Sequence, residues 1–373
     1  MKYKSAILLV VLLLLPFTAF AQSAREYLNQ GITKGTSGDL PGALSDFNLA
    51  IEKDPKSAEA YYSRAVTKAA MGDLKGALLD YNKSIELNDT SAYAYNNRGN
   101  LKDDMGKKES AIEDYDRAIE LDPKFAMAYN NRGTTKRELG NIEGAIADYN
   151  KAIEIDPKFA MPYNNLGNLR GRQGKNKEAL LDFDKAIKLD PNFTIAYFNR
   201  ANTKDDMGDY KGAISDYDKA IELNPKYFDA YNNRGNVKSK EKDYQGALED
   251  YQKAVELNPK FALGYYNIGL SYYNLEKYQE AISSYNKAIE LNPRFAQAYD
   301  NRGRSKGVTK DYQGALSDFT MAIDLNPQNA KAYYGSGYAK ILLDKTESGC
   351  ADIKKAQKMG YKHAEETLKQ YCN

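Results

Sequence analysis

The chain is poor in the side chains that do chemistry. Its 373 residues include one histidine, His363, two cysteines, Cys350 and Cys372, and no tryptophan. With so few imidazoles and thiols, no His/Cys/carboxylate set has metal-ligand spacing, and no glycine-rich loop follows a strand. No cofactor and no metal is expected. Carboxylates are plentiful, but they recur at a fixed spacing, so any pair chosen as acid and base would be repeated along the chain. This inventory argues against an enzyme and offers no catalytic residue. A charge excess is missing too: 53 Lys and Arg stand against 51 Asp and Glu. A near-neutral surface has no electrostatic claim on nucleic acid or anionic lipid. Long apolar runs are absent after the first twenty or so residues, and the one run at 6–17 falls short of the ~20 residues of a spanning helix.

That run belongs to a leader. Lys2 and Lys4 make a basic start, residues 6–17 an apolar core, and Ala19-Phe20-Ala21 a small-residue cleavage site before Gln22. Residues 1–21 therefore read as a signal peptide, and no Cys follows the cut to be lipidated. Cleavage leaves a chain with no integral membrane segment, exported to the periplasm or the extracellular space.

What the chain has in abundance is periodicity. Residues 126–159 carry Tyr129, Gly133, Ala145, Tyr149, Ala152 and Pro157 at positions 4, 8, 20, 24, 27 and 32, and the pattern returns every 34 residues. Position 4 is tyrosine ten times, from Tyr27 to Tyr333. Position 32 is proline in eight registers, with Asp89 in one that lacks it. Such a period means a stack of supersecondary units, each too small to bury its own apolar face. Positions 4, 7, 8 and 11 share one stripe of a first helix, and positions 20, 24, 27 and 28 share a stripe of a second. Leu139-Gly140-Asn141 is the turn between them, and Asp156-Pro157 ends the second helix. Small residues at 8, 20 and 27 let the helix backbones approach, while aromatic rings fill the gaps.

This pattern resembles the tetratricopeptide repeat, with tyrosine in place of the usual tryptophan at position 4. The resemblance covers ten tandem repeats at residues 24–363, followed by a C-terminal capping helix at 364–373. It implies an all-α, right-handed superhelical solenoid of antiparallel helix pairs, whose first helices line a concave groove. It also implies other proteins or peptides as partners, not a reaction. Some arrays of this kind grip a chaperone's C-terminal tail with a two-carboxylate clamp. The Lys that such a clamp needs at position 2 recurs here only as Arg25 and Lys331, which argues against it.

Departures from the pattern locate the candidate site. Position 7 is Arg in six repeats and position 11 almost always Lys or Arg, while position 23 is almost always Asp. One repeat loses all three together, as Ile268, Tyr272 and Ser284, so the charges are expected to pair across the hairpin within one repeat. The turn glycine at position 15 gives way to Lys242, Glu276, Lys310 and Asp344 in the last four repeats, which suggests a re-aimed turn there. At Asn88-Asp89-Thr90-Ser91, side-chain oxygens can still cap the next helix. Position 6 repeats asparagine at Asn97, Asn131, Asn165, Asn199, Asn233, Asn267 and Asn301. Asparagine is a mediocre helix former, so either its amide meets the backbone of an extended ligand or it tiles the array by bonding to a neighbouring helix. The first alternative is similar to the asparagine ladder in the repeat array of O-GlcNAc transferases. Apolar side chains flank the ladder at position 2, among them Met127, Met161 and Ile195, and one repeat adds Tyr266, Leu270 and Tyr273. These residues are the expected protein- or peptide-binding surface.

The expected function is a scaffold that collects proteins of a bacterial-type cell envelope. Capture of unfolded or extended clients, or the positioning of a separate envelope enzyme, remain alternatives; the oligomeric state is open. A disulfide between Cys350 and Cys372 is expected, because an oxidising compartment favours a bridge. The two lie ten residues before and twelve after Gly360, at nearly the same height of an antiparallel pair. His363 is expected to face solvent at a helix start.

Overall fold

The computed structural model describes residues 23–372, so the leader at residues 1–21 lies outside the described residues. Within them are twenty-one helices and no strand, numbered in chain order from α1 (Ala24–Thr36) to α21 (Ala364–Tyr371). The protein is all-α, built of antiparallel helix pairs. It divides into two compact units, one ending at Pro162 and the other starting at Tyr163. Each unit is a stack of helix pairs in which, within the unit, the second helix of a pair also packs on the first helix of the next. No helix among the described residues is long and apolar enough to cross a membrane.

One pair shows why the sequence folds this way. Helix α7 (Ala126–Glu138) ends as Leu139 donates its N–H to the Thr135 carbonyl, and Gly140 turns the chain with φ of 82°. Asn141 then caps α8 (Ile142–Ile155), its side chain accepting from the Gly144 N–H. Helix α8 stops at Asp156, which is extended, with φ of −130° and ψ of 91°, as a residue before proline must be. The Asp156 carboxylate accepts the Lys158 N–H and closes the connection. Where proline is missing, Ser91 caps the following helix by accepting from the Ala94 N–H, and Asn88 accepts from the Thr90 N–H.

The re-aimed turn is not found. Lys242, Glu276, Lys310 and Asp344 have φ of 66°, 60°, 65° and 59°, in the left-handed region that the turn glycines occupy in earlier repeats. Four L-residues accept the strain of that region because the hairpin on either side dictates the turn.

Between the paired helices the packing is set by one ring and one missing side chain. Tyr149 is fully buried against Gly133, where an added Cβ would lie 2.9 Å from the ring. Alanines at 128, 145 and 152 are buried around it. The buried stripe of the first helix differs from the expected one. Its buried members are Ala128, Asn130, Gly133 and Thr135, while Tyr129 is half-buried and carries the Arg132 guanidinium over its ring at 5.3 Å.

The position-7 charges pair across the hairpin within a repeat. Arg132 donates to both oxygens of Asp148 at 2.9 and 2.6 Å, and Lys136 reaches the same carboxylate at 2.8 Å. The same tripod recurs at Arg64, Lys68 and Asp80 and at Arg234, Lys238 and Asp250. The sequence did not show that the arginine also reaches backward. Arg132 Nη1 donates to Asp116 of the preceding repeat at 2.5 Å, and Arg200 does the same to Asp184 at 2.6 Å. The arginine thus ties repeat to repeat as well as helix to helix. Where it is replaced by Ile268, Tyr272 takes the backward link and its hydroxyl accepts from Gln252.

The far end is closed by α21, which packs Ala364 and Leu368 against the last pair. Cys350 and Cys372 are bridged, with Cα atoms 5.7 Å apart. His363 is exposed at the start of α21.

Candidate binding site

The position-6 asparagines from Asn97 to Asn301 are half-buried, apart from Asn267, which is buried; Asn29 in the first repeat is exposed. Their amides are engaged by the array itself. Asn131 donates to Asn96 Oδ1 at 3.1 Å and to Asn100 Oδ1 at 3.0 Å, both in the preceding repeat. Asn97 donates to the Tyr62 hydroxyl, Asn199 to Asn164, Asn233 to Asn202, and Asn301 to the Tyr266 hydroxyl. Asn267 bonds to both Asn232 and Asn236. A rung therefore joins position 6 of one repeat to positions 5 and 9 of the one before. Of the two alternatives for the ladder, this geometry supplies the tiling. Asn165 is half-buried.

Beside these rungs the position-2 side chains stand in solvent. In the first unit Tyr93, Met127 and Met161 are 63, 48 and 44 % exposed; in the second, Ile195 and Leu263 are 50 and 43 % exposed. Tyr93 rests on Phe125, ring centroids 4.8 Å apart, and Met161 sulfur accepts from the Asn130 amide.

Tyr266, Leu270 and Tyr273 are half-buried, not an exposed patch. Tyr266 is held between the rings of Tyr285 and Phe295. Tyr273 packs edge-on against Tyr278 and lies under the Arg304 guanidinium at 5.0 Å. It also lines a cleft of about 610 Å³, formed by α15 (Ala262–Asn274), α17 (Ala296–Val308), α18 (Tyr312–Leu325), α19 (Ala330–Ile341) and the turn before α21. Tyr312, Phe319, Tyr334, Tyr338 and Tyr361 line it, with Arg304 and Lys331 at its rim.

A second, more polar cleft of about 480 Å³ shares Arg304, Lys331 and Tyr361 and contains Asp300. Asp300 stands at position 5, where Asn96, Asn164 and Asn232 each accept a rung from the next repeat. The residue that would supply its rung is Gly335, which has no amide. The carboxylate is only 7 % exposed and its Oδ1 has no hydrogen-bond partner. Burial raises the pKa of Asp300, while Arg304, Lys331 and Asn329 nearby pull it back down. Sequence reasoning missed this place. Its signal was charge at positions 5 and 9, Asp300 and Arg304, where every other repeat holds an uncharged residue.

No group of three or more His, Cys, Asp or Glu side chains able to hold a metal ion occurs among the described residues.

A chain of stacked helix hairpins, tied by asparagine rungs and arginine tripods, is a helical-repeat solenoid. Sequence profiles described as "Tetratricopeptide repeat" match residues 92–125, 160–193, 228–261 and 262–295, in the register of the helix pairs. Related profiles match 28–92, 114–147, 135–174, 183–215 and 206–241. The chain belongs to the tetratricopeptide-repeat family. Among solved structures it is similar to YrrB, described as "a TPR protein with an unusual peptide-binding site", at 30 % identity over 49 % of this chain and 95 % of that one, with a TM-score of 0.44. A tetratricopeptide repeat protein from Parabacteroides merdae is 24 % identical over 66 and 99 % of the two chains, with a TM-score of 0.49. The pilF protein of Pseudomonas aeruginosa is 18 % identical over 57 and 98 %, and its TM-score of 0.51 shows the shared fold. No curated protein sequence gives a significant match. The repeat fold is generally a non-catalytic scaffold that binds other proteins or peptides.

Proposed function

We propose that the protein is a non-enzymatic interaction scaffold of a bacterial-type cell envelope, holding partner proteins or extended peptides along its first helices. The observation that carries this reading is the exposure of Tyr93, Met127 and Met161 at corresponding positions of successive repeats of the first unit. Large apolar side chains repeated in solvent mark an interaction surface. The rungs beside them are already hydrogen-bonded within the array, so the contact belongs to the apolar side chains and the asparagines hold the platform rigid. The leader at residues 1–21 and the Cys350–Cys372 bridge both agree with an oxidising compartment outside the cytosol.

A photocrosslinking residue placed at Met127 or Ile195 in cells, followed by identification of what is caught, tests the reading. A short set of envelope proteins caught from both sites is expected. Leu79, 70 % exposed on a second helix, serves as the control. Equal capture from Leu79, or none from the first-helix sites, would remove the support for this surface. Many weak clients in place of a few stoichiometric ones would mark capture of extended chains.

A further inference from the structure

We propose that the paired clefts at the capped end bind the head group of an α-amino acid bearing an aromatic side chain. The carboxylate of that head lies on Arg304 and Lys331, its α-nitrogen donates to the Asp300 carboxylate, and its ring enters the tyrosine-lined cleft. This inference goes beyond partner binding and stands without it, because it needs only the protein and a small molecule.

The array leaves a rung unmade at Asp300. A position-5 oxygen receives an amide from position 6 of the next repeat at Asn96, Asn164 and Asn232. At Asp300 the donor is deleted, and the acceptor is a carboxylate instead of an amide. A buried acceptor without a donor is costly, more so when charged, and here the residue that carries it lines the polar cleft. A ligand that brings an N–H to this carboxylate offsets that cost.

The rim requires the opposite partner. Arg304 and Lys331 are both exposed, and Arg304 is pre-oriented by two bonds, to Asn301 Oδ1 at 3.1 Å and to the Tyr273 hydroxyl at 3.4 Å. A guanidinium has five donors, so several remain for an anion. The ligand must therefore present a nitrogen donor and a carboxylate side by side, which is the arrangement around an α-carbon. The remaining space fixes the side chain. The cleft of about 610 Å³ falls in the ~300–1,000 Å³ range of small-ligand sites. Its walls are Tyr273, Tyr312, Phe319, Tyr334, Tyr338 and Tyr361, rings that favour edge-on or offset contact with another ring. Tyr361 closes the site from the turn before the cap, its ring 4.8 Å from that of Tyr334.

Two sources present this head: a free aromatic amino acid, whose nitrogen is an ammonium, and the carboxyl-terminal residue of a chain, whose nitrogen is an amide. Absence of tryptophan from the protein makes L-tryptophan a clean fluorescent probe, excited at the red edge of indole absorption where tyrosine is silent. L-tryptophan, N-acetyl-L-tryptophan and L-tryptophanamide are titrated with the full mature protein. Saturable binding of at least one of the two acids, with the amide at least tenfold weaker, is expected. Preference for the free acid points to an amino acid, and preference for the acetylated one to a chain terminus. The double substitution Arg304→Gln with Lys331→Gln, both exposed and so harmless to folding, should weaken binding at least tenfold. Asp300→Asn restores the residue that other repeats carry and should weaken L-tryptophan more than its acetylated form, because an amide oxygen accepts an N–H but does not offset an ammonium charge. Tryptophanamide binding as tightly as the acids, unchanged affinity in the double variant, or no saturable signal from either acid at concentrations on the order of millimolar would each overturn the proposal.

Discussion

At the scale of single residues, the array depends on charges placed where the backbone brings two helices and two repeats together. The Asp148 side chain is 5 % exposed and receives three donors from Arg132 and Lys136. Burial alone would lower the Arg132 pKa, but the bonds to Asp148 and Asp116 raise it, so the arginine stays charged. Asp148→Asn leaves both cations short of a counter-charge. Breaking a fully buried pair costs ~3–5 kcal/mol; with Arg132 and Lys136 at 17 and 20 % exposure, about 2–3 kcal/mol is expected. Installing Ile, Tyr and Ser together at 132, 136 and 148, the set found at Ile268, Tyr272 and Ser284, should recover most of that loss in denaturant unfolding. A triple variant less stable than the single one would mean that the backward link from Arg132 to Asp116 outweighs the hairpin pair. The turn at Lys242 makes a second residue-scale case. Its φ of 66° is disfavoured for any residue with a Cβ, so Lys242→Gly should stabilise by ~0.5–1 kcal/mol, the relief of strain less the added freedom of the unfolded chain. A lower melting temperature would show that the lysine side chain contributes more than its backbone costs.

At the scale of elements, much was legible in the amino-acid order. Helix ends could be read because caps, Asp-Pro pairs and left-handed turns are local chemistry: Asn141, Asp156 and Gly140 act on residues two to four away. The hairpin tripod was legible from the joint loss at Ile268, Tyr272 and Ser284, which is covariation inside one sequence. The rungs were harder. A bond from Asn131 to Asn96 and Asn100 links residues 35 and 31 apart, and helical-wheel reasoning on one helix cannot show where the next repeat's helix lies. The same limit hid Asp300, whose meaning rests on the side chain that Gly335 lacks. It also misplaced Tyr266, read as exposed but sandwiched between rings. The rungs carry their own expectation. Asn131→Ala removes two donors and leaves the Asn96 oxygen, fully buried, without its inter-repeat bond. A loss of about 1–3 kcal/mol is expected, with helicity unchanged below the transition. An unaltered unfolding midpoint together with weakened partner capture would return the ladder to a ligand-binding role.

At the scale of the molecule, a repeat array is quasi-one-dimensional: each repeat leans on its neighbours, and an end repeat has one neighbour fewer. The last helix pair is covered on one side by α21. Helix α21 is eight residues long, too short to be stable alone, and it covers the last pair with few large apolar side chains. The bridge between Cys350 and Cys372, separated by 22 residues in sequence, joins the cap to α20 (Thr346–Lys358). Closing a loop of this size restricts the unfolded chain by ~3 kcal/mol. Reduction should therefore leave most of the helical signal intact while hydrogen exchange rises across α21 and the turn carrying Tyr361. That turn closes the tyrosine-lined cleft, so reduction should weaken any ligand held there along with the cap. The measurement has a prior condition. Protein taken from its native compartment should gain about 2 Da on reduction and resist thiol alkylation until reduced. Full alkylation without reductant would place the chain in a reducing compartment and set aside the reading of residues 1–21 as an export signal. Unchanged exchange in a reduced sample would show instead that the packing of Ala364 and Leu368 holds the end unaided.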